Sequence, residues 1–508
     1  MSHLMILPIL VPLIAGSSLL MVYRYKTGRQ RSISVTSTVL LTLLGAWAVL
    51  TAGSGEYLLY QVGNWPAPFG IVLVLDRLSA VMLALSAGLA LFCVLYACRG
   101  NDRQGAHFHA LFQFQLAGIN GAFLTGDLFN LFVFFEVLLI ASYALLLHGG
   151  GRARSRAGLH YVIINLVGSA LFLLALGILY GLTGTLNMAD LAIAVASAPE
   201  SERALLTGAS LLLLVVFGIK AAILPLLFWL PRAYSAASAP VAALFAIMTK
   251  VGIYAMLRVF LLVFGLGEAP LNQTAWGWVW PLALLTLALG GIGVLGSASL
   301  RAKTAYFVIV SVGTLLAALS FSGTASLAAA LFYLIHSTCM TAVFFLLADL
   351  VGRHREQGYD RFTDISPVGH RWLLGSLFFV AGISLVGLPP FSGFVGKLWI
   401  LQSTAGQDQG YWLWGILLAV ALLTITAVSR AGSSWFWKPG ELTRPAVPLD
   451  RNCFALVWMM TGISAVLSVM AEPVGQYLLL TAEQLHSPED YLRAVLPEAY
   501  AQYQEVPR

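Results

Sequence analysis

Five ionisable side chains stand inside long apolar runs. Glu136 lies in Phe134-Phe-Glu-Val-Leu138, Lys220 in Phe217-Gly-Ile-Lys-Ala221 and Lys250 in Met248-Thr-Lys-Val251. His336 ends Phe332-Tyr-Leu-Ile-His336, and Lys397 lies in Gly393-Phe-Val-Gly-Lys-Leu398. A charge at the centre of a bilayer costs ~2.5–3.5 kcal/mol on insertion scales, so five such groups in one chain call for a function. Burial lowers a lysine pKa and raises a glutamate pKa, so both can exchange protons near neutral pH. A series of such groups is what a proton relay needs. Structural pairing of Glu136 with one lysine is the simpler account, but it leaves at least one lysine unpaired. A lysine near a helix end can extend its ammonium to the interface, whereas Lys220 and Lys250 are ten or more residues from either end of their runs.

The runs themselves set the class. Of 508 residues, 59% are hydrophobic and only 10% are charged, against about 25% charged in soluble domains. With 28 Lys and Arg and 22 Asp and Glu, the chain could not cover the roughly three soluble domains its length implies. A soluble multi-domain enzyme and a nucleic-acid-binding protein are excluded. Apolar segments of about 20 residues recur end to end, the mark of an all-α polytopic membrane protein. The ~10-residue alternating segments of a β-barrel are absent.

Fourteen spans can be marked: 4–23, 33–52, 78–98, 107–125, 127–148, 158–181, 205–230, 236–264, 274–297, 304–321, 325–350, 372–404, 411–429 and 453–479. The odd-numbered connections hold 20 Lys and Arg, and the other side, with both termini, holds only Arg203, Arg493 and Arg508. The positive-inside rule therefore puts both termini outside. Glu56, Asp190, Glu200, Glu202, Glu268 and Asp408 collect in the outward connections. Arg24, Lys26, Arg29 and Arg31 follow the first run, so it reads as a retained helix and not a cleaved leader.

Other signals are local. Cys93, Cys98, Cys339 and Cys453 form no CxxC pair, so neither a disulfide framework nor a zinc or iron–sulfur site is expected. His107 and His109 have ligand spacing, but no carboxylate or cysteine joins them in the sequence; no metal site is assigned. No haem, flavin or cluster motif occurs, so no cofactor is expected. Asp127 and Asp76 precede helices as N-caps, Asp76 with Arg77 as a local pair. Arg258 could extend outward from its span. Asn165 reads as an interhelical hydrogen-bond residue. Asp349 and His148 read as interfacial. After 479, Ser487-Pro488-Glu489-Asp490 is a helix start with Ser at the N-cap, leading an amphipathic helix on the outer surface or on a partner.

The sixth and eleventh spans resemble each other: Tyr161-Val-Ile-Ile-Asn165 and Phe332-Tyr-Leu-Ile-His336 are offset by 171 residues, or five helices. An odd count reverses orientation, so the repeat is inverted, helices 4–8 against 9–13. Helices 7 and 12 then correspond, and each carries a mid-span proline, Pro225 and Pro389-Pro390, which breaks it. Aligned on those prolines, Lys220 and Lys397 do not superimpose. The expected organisation is 1–103 for helices 1–3, 104–264 and 265–440 for the two repeats, and 441–508 for helix 14 and the tail.

A helix-5 Glu after Asp127-Leu-Phe-Asn-Leu131, a helix-7 Lys followed by Pro225 and Trp229-Leu-Pro231, a helix-8 Lys, a helix-11 His and a broken helix 12 resemble a known family. It comprises the antiporter-like subunits of respiratory complex I and of the Mrp (Mnh, Pha) multisubunit Na⁺/H⁺ antiporters. Gly387-Leu-Pro-Pro-Phe-Ser-Gly-Phe-Val-Gly-Lys397 and the tail from Ala482 to Leu496 are most similar to the D-type antiporter subunits. The resemblance implies a polar axis at mid-membrane. Glu136 would face Lys220, Lys250 would connect two half-channels, and His336 with Lys397 would complete the second. It also implies a secondary-transporter subunit of a bacterial inner membrane, carrying protons against Na⁺ or another monovalent cation. Its partners would be the A, B, C, E, F and G type subunits. The rival is a proton-pumping subunit of an NADH dehydrogenase or membrane-bound hydrogenase; a third reading is a non-transporting assembly scaffold.

Overall fold

The computed structural model describes residues 2–22, 27–266, 271–355, 359–362, 367–437 and 447–505. Arg24, Lys26, Glu268, Lys438, Arg444 and Arg508, counted above by side, lie outside the described residues. In chain order the helices are α1 (Leu7–Met21), α2 (Thr27–Ala52), α3 (Arg77–Ala97), α4 (Phe108–Leu124), α5 (Leu128–Leu147), α6 (Arg152–Thr183), α7 (Met188–Ala196), α8 (Glu200–Ala221), α9 (Trp229–Ala236), α10 (Ala239–Phe245) and α11 (Met248–Arg258). There follow α12 (Asn272–Gly296), α13 (Leu300–Leu319), α14 (Thr324–Arg353), α15 (Arg371–Val386), α16 (Ser392–Ser403), α17 (Asp408–Gly432), α18 (Arg451–Val469), α19 (Ala471–His486), α20 (Pro488–Val495) and α21 (Pro497–Glu505). Among the described residues, 12 helices are long and apolar enough to cross a membrane. The other two marked spans are α4, of only 17 residues, and the divided pair α15 and α16. α4 is short and polar because it is interior: Gln113 Nε2 donates to the Ser34 carbonyl at 3.1 Å, and Asn120 Nδ2 to the Pro8 carbonyl at 2.8 Å.

Four details differ from the sequence reading. The connection between α2 and α3 forms a short antiparallel hairpin, β1 (Leu58–Gln61) with β2 (Val72–Leu75), Leu58 opposite Leu75. α7 is an extra helix between the sixth and seventh spans. The last span ends at Val469, and α19 continues as a separate helix after Met470. Pro488 does open α20, but Ser487 does not cap it; its hydroxyl donates to the Glu483 carbonyl at 3.2 Å.

The two repeats are visible in backbone hydrogen bonds. Asp127 pairs with Asn187 as an isolated antiparallel bridge, and Ser299 pairs with Arg361 in the same way. Around the first, Leu128 N–H donates to the Leu186 carbonyl and Met188 N–H to Gly126, both at 2.9 Å. Around the second, Leu300 N–H donates to Asp360 and Phe362 N–H to Ala298, also at 2.9 Å. Asp127 and Ser299 each cap the next helix through the backbone N–H three residues on. The two breaks match as well. α8 ends at left-handed Ala222 (φ 60°), with Ile223 N–H returning to the Gly218 carbonyl; α15 ends at left-handed Gly387 (φ 86°), with Leu388 N–H returning to Ile383. This is the hydrogen-bonding pattern that satisfies the carbonyls of a terminated helix. Five crossings separate the copies, so they run in opposite senses.

The end of the bundle at the start of α3 is held by an ion pair the sequence did not show. Asp76 caps α3, but its partner is Arg258 at 2.7 and 2.9 Å, with both side chains buried. Arg77 instead donates to the Gly53 and Leu480 carbonyls. Arg258 therefore does not extend to the interface, and Tyr491 of α20 packs its ring 5.7 Å from the guanidinium. Removing one partner of a buried ion pair costs ~3–5 kcal/mol, because the other is stranded. Asp76→Asn keeps the cap and strands Arg258. It should melt well below the wild type in detergent, and Asp76→Asn/Arg258→Met should recover most of the loss. Equal thermostability of Asp76→Asn and wild type would show that Arg258 does not depend on this carboxylate.

Candidate proton-relay site

Glu136 is on α5 and accepts a short hydrogen bond from Ser169 Oγ of α6. One turn earlier on α6, Asn165 Oδ1 accepts from Lys220 Nζ at 3.2 Å. Residues four apart share a helix face, so α6 presents Ser169 and Asn165 as two steps between Glu136 and Lys220. Among the described residues no ion pair within 4.0 Å joins that glutamate to that lysine: their facing is mediated. Lys220 is two residues before the left-handed Ala222 that ends α8, and its ammonium lies 5.8 Å from the Phe135 ring centroid. Gly252 of α11 lies against this point. A Cβ there would be 2.7 Å from Ala221 N and 3.1 Å from Lys220 Cβ, so only glycine lets the two helices meet at Lys220.

Lys250, fully buried on α11, donates to Ser311 Oγ of α13 at 2.8 Å. α11 belongs to the first repeat and α13 to the second, so this hydrogen bond spans them. His336 is buried on α14, and its Nδ1 shares a 2.8 Å hydrogen bond with Ser392 Oγ at the start of α16. Ser392 and Ser384 both reach Ser464 of α18, at 2.8 and 2.6 Å. The Nε2 of His336 is buried with no hydrogen-bond partner. Lys397 is half-buried, and its ammonium donates to the Val386 carbonyl at 2.6 Å, the last residue of α15. That carbonyl is one of the orphans every helix end leaves, and the lysine answers it across the break. The ammonium is thus turned toward the end of α15.

The five residues are not one touching cluster; they form successive stations, each set on a different helix and each with its own hydroxyl, amide or carbonyl partner. The sequence reading named Asn165 and missed the serines. Nothing marks Ser169, Ser311 or Ser392 among the many serines of apolar helices. It also missed Lys303, counted there as a basic loop residue. Lys303 is buried on the first turn of α13 and donates to the Val294 carbonyl at 2.5 Å.

Four arginines, one of them fully buried and three half-buried, behave differently. Arg258 has Asp76; Arg31 grips both oxygens of Asp102 at 2.6 and 2.9 Å; Arg301 grips Asp360 at 3.1 and 3.2 Å; Arg353 reaches Asp349 at 2.6 Å. Asp349 and His148 are buried and bonded, not interfacial. Asp102 also corrects the reasoning about the histidines, since Cys98, Asp102 and His109 bring ligand atoms within 4.8 Å of one another, without His107. Burial alone would raise the Asp102 carboxyl, but hydrogen bonds from His109 and Arg31 outweigh it and hold it well below the usual carboxylate range. The guanidinium fills the coordination that a metal would need.

A mostly helical membrane bundle with two inverted repeats, two matched helix breaks and ionisable groups placed across both repeats defines a proton-antiporter type of membrane protein. Residues 125–426 match the NADH:quinone oxidoreductase/Mrp antiporter transmembrane family, and the chain belongs to it. It is 42% identical to the D-type subunit of a probable K⁺/H⁺ antiporter of Rhizobium meliloti, with 98% of each chain covered. It is 36% identical to the D-type subunit of a Na⁺/H⁺ antiporter of Alkalihalophilus pseudofirmus, covering 98% of this chain and 100% of that one. Among solved structures, it is similar to a chain of the Mrp complex from Dietzia sp. (26% identity, TM-score 0.86, 98% of this chain and 100% of that one). It is also similar to a chain of an archaeal membrane-bound sulfane sulfur reductase (25% identity, TM-score 0.89, with the same coverage).

If the Lys397 ammonium must release its proton, arginine cannot serve, because it stays protonated at any physiological pH. Lys397→Arg should reach the membrane and assemble yet be nearly inactive. Full activity across the pH range would reduce Lys397 to a cap on the Val386 carbonyl.

Proposed function

We propose that this chain is the proton-translocating subunit of a multisubunit monovalent cation/proton antiporter. It is a secondary-transporter subunit with no chemical reaction of its own. The observation that carries the reading is the choice of partners. Lys220, Lys250 and Lys397 each donate to a neutral oxygen, Asn165 Oδ1, Ser311 Oγ and the Val386 carbonyl, whereas Arg31, Arg258, Arg301 and Arg353 hold carboxylates. A buried ammonium on a neutral acceptor can lose its proton without leaving an uncompensated anion behind, which a carboxylate partner would become. The proton steps are then Glu136 and Lys220 by way of Ser169 and Asn165, Lys250 across the repeats, and His336 with Lys397 beyond.

The chain works inside a larger assembly. Phe129, Val133, Ile140 and Leu147 are the exposed side chains of α5 and fall on one helical stripe, and Glu136 lies on that stripe. A carboxylate at this depth needs protein beside it and not lipid. The relatives' names supply the class of partner, the other subunits of a cation/proton antiporter, and they name K⁺ in one case and Na⁺ in another. The similarity to the sulfane sulfur reductase chain supports the rival, a redox-driven complex. Copurification decides: small antiporter subunits support the first reading, redox subunits the second. The expected site is a bacterial inner membrane with both termini outside.

Glu136→Ala should abolish cation/proton exchange in vesicles while the protein remains in the membrane; unchanged exchange would sink the relay. For orientation, a reporter active only in the cytoplasm should be silent after Arg508 and active in the connection 152–156. Activity after Arg508 would mean the basic connections face outward.

A further inference from the structure

Two cavities open side by side on the face that carries the basic connections. One, of ≈ 620 Å³, has Arg152, Arg154 and Arg301 in its wall. The other, of ≈ 460 Å³, has Arg156, His160 and Arg232. Ala153, Ser235 and Ala236 line both, so they share a wall where α6 and α9 pack together. Arg301 is neutralised by Asp360, and Arg154 is spent on the His148 and Ala236 carbonyls. Arg152, Arg156 and Arg232 are exposed and make no ion pair among the described residues, and no acidic residue lines either cavity.

Topology alone requires basic residues on this face, but not cations converging on a cleft beside an exposed apolar stripe. Arg156, His160, Ile163 and Val167 follow one another along a single face of α6. Ile163 is 54% exposed and Val167 49%, and Phe228, just before α9, is 57% exposed. A soluble anion would use the cations and leave the stripe bare. A molecule with a phosphodiester at one end and acyl chains at the other uses both, and basic pockets between helices at the membrane surface are suited to such headgroups.

We propose that the cleft between the N-terminal part of α6 and α9 binds an anionic phospholipid. Arg156 and Arg232 hold its phosphodiester, with Arg152 and His160 beside them, and an acyl chain lies along Ile163 and Val167. The site has a line to the relay. α9 begins at Trp229, whose indole N–H donates to the Ile219 carbonyl at 3.2 Å, one residue before Lys220. A bound headgroup therefore fixes the segment that follows the α8 break.

The inference rests on the family reading only in placing this cleft at a membrane surface, and lipid retention in detergent is measured without regard to which face is inward or whether antiport occurs. The assembled complex, purified with its partner subunits, is titrated with phosphatidylglycerol or phosphatidylcholine and scored by native mass spectrometry. Wild type should retain phosphatidylglycerol in preference to phosphatidylcholine. Each surface cation is worth about a fivefold step in affinity for anionic lipid, so Arg156→Gln/Arg232→Gln should retain it roughly 25-fold more weakly. Arg371→Gln, which removes a charge from the same face outside the cleft, should behave as wild type. Equal retention by the double variant, or equal loss in Arg371→Gln, overturns the site in favour of diffuse charge. Displacement of the lipid by inorganic phosphate alone overturns the lipid in favour of a soluble anion, and an acidic segment of a partner subunit retained in place of lipid overturns it likewise.

Discussion

A bilayer interior offers no hydrogen-bond partner, so every buried charge and every interrupted helix end must be answered by another part of the bundle. Most of the architecture between α3 and α18 follows from that constraint. The two kinds of cation meet it in opposite ways. The guanidinium groups of Arg31, Arg258 and Arg301, planar and permanently charged, are matched by carboxylates in bidentate geometry. They sit near helix termini, where Asp76 caps α3 and Asp360 joins the bridge before α13, and they hold connections in place. The ammonium groups of Lys220, Lys250 and Lys397 are each matched by a neutral oxygen. The first arrangement fixes charge, and the second leaves it removable.

The helix breaks meet the same constraint from the backbone side. Ending a helix inside a membrane exposes carbonyls that water would otherwise satisfy. Both breaks recover part of this through a left-handed residue and a hydrogen bond five residues back. Beyond that they diverge. At the second break Lys397 supplies the missing donor to Val386. At the first, the backbone of α11 closes on Lys220 through Gly252, and Trp229 donates to the Ile219 carbonyl. The repeats are thus equivalent in fold and unequal in chemistry. That is why the prolines align while Lys220, two residues before its left-handed residue, and Lys397, ten after, do not.

What the sequence revealed follows the length scale of each signal. Fourteen spans were legible because apolar runs and the alternation of basic loops are long-range signals that no single residue can spoil. The five relay candidates were legible because a charge in such a run has no neutral explanation. Partner choice was not. Whether Arg258 extends to water or meets Asp76, 182 positions away, depends on helix packing that local pattern does not encode. Lys303 was hidden for the opposite reason: it lies within two residues of another basic residue, Arg301, beside a connection, and its burial depends on where α13 begins. Ser169, Ser311 and Ser392 are common residues in uncommon places.

Glu136 shows where the single chain stops being a sufficient unit. It is a candidate relay group on a stripe that the bundle leaves partly open, between Val133 and Ile140 on α5. Ser169 satisfies one of its oxygens, and Lys220 is reached only through α6. A carboxylate at this depth is costly beside lipid. A second protein packed over α5 would relieve that cost by bringing a polar or cationic group to the same depth, so that this end of the candidate relay is completed by a neighbour and not by this chain alone.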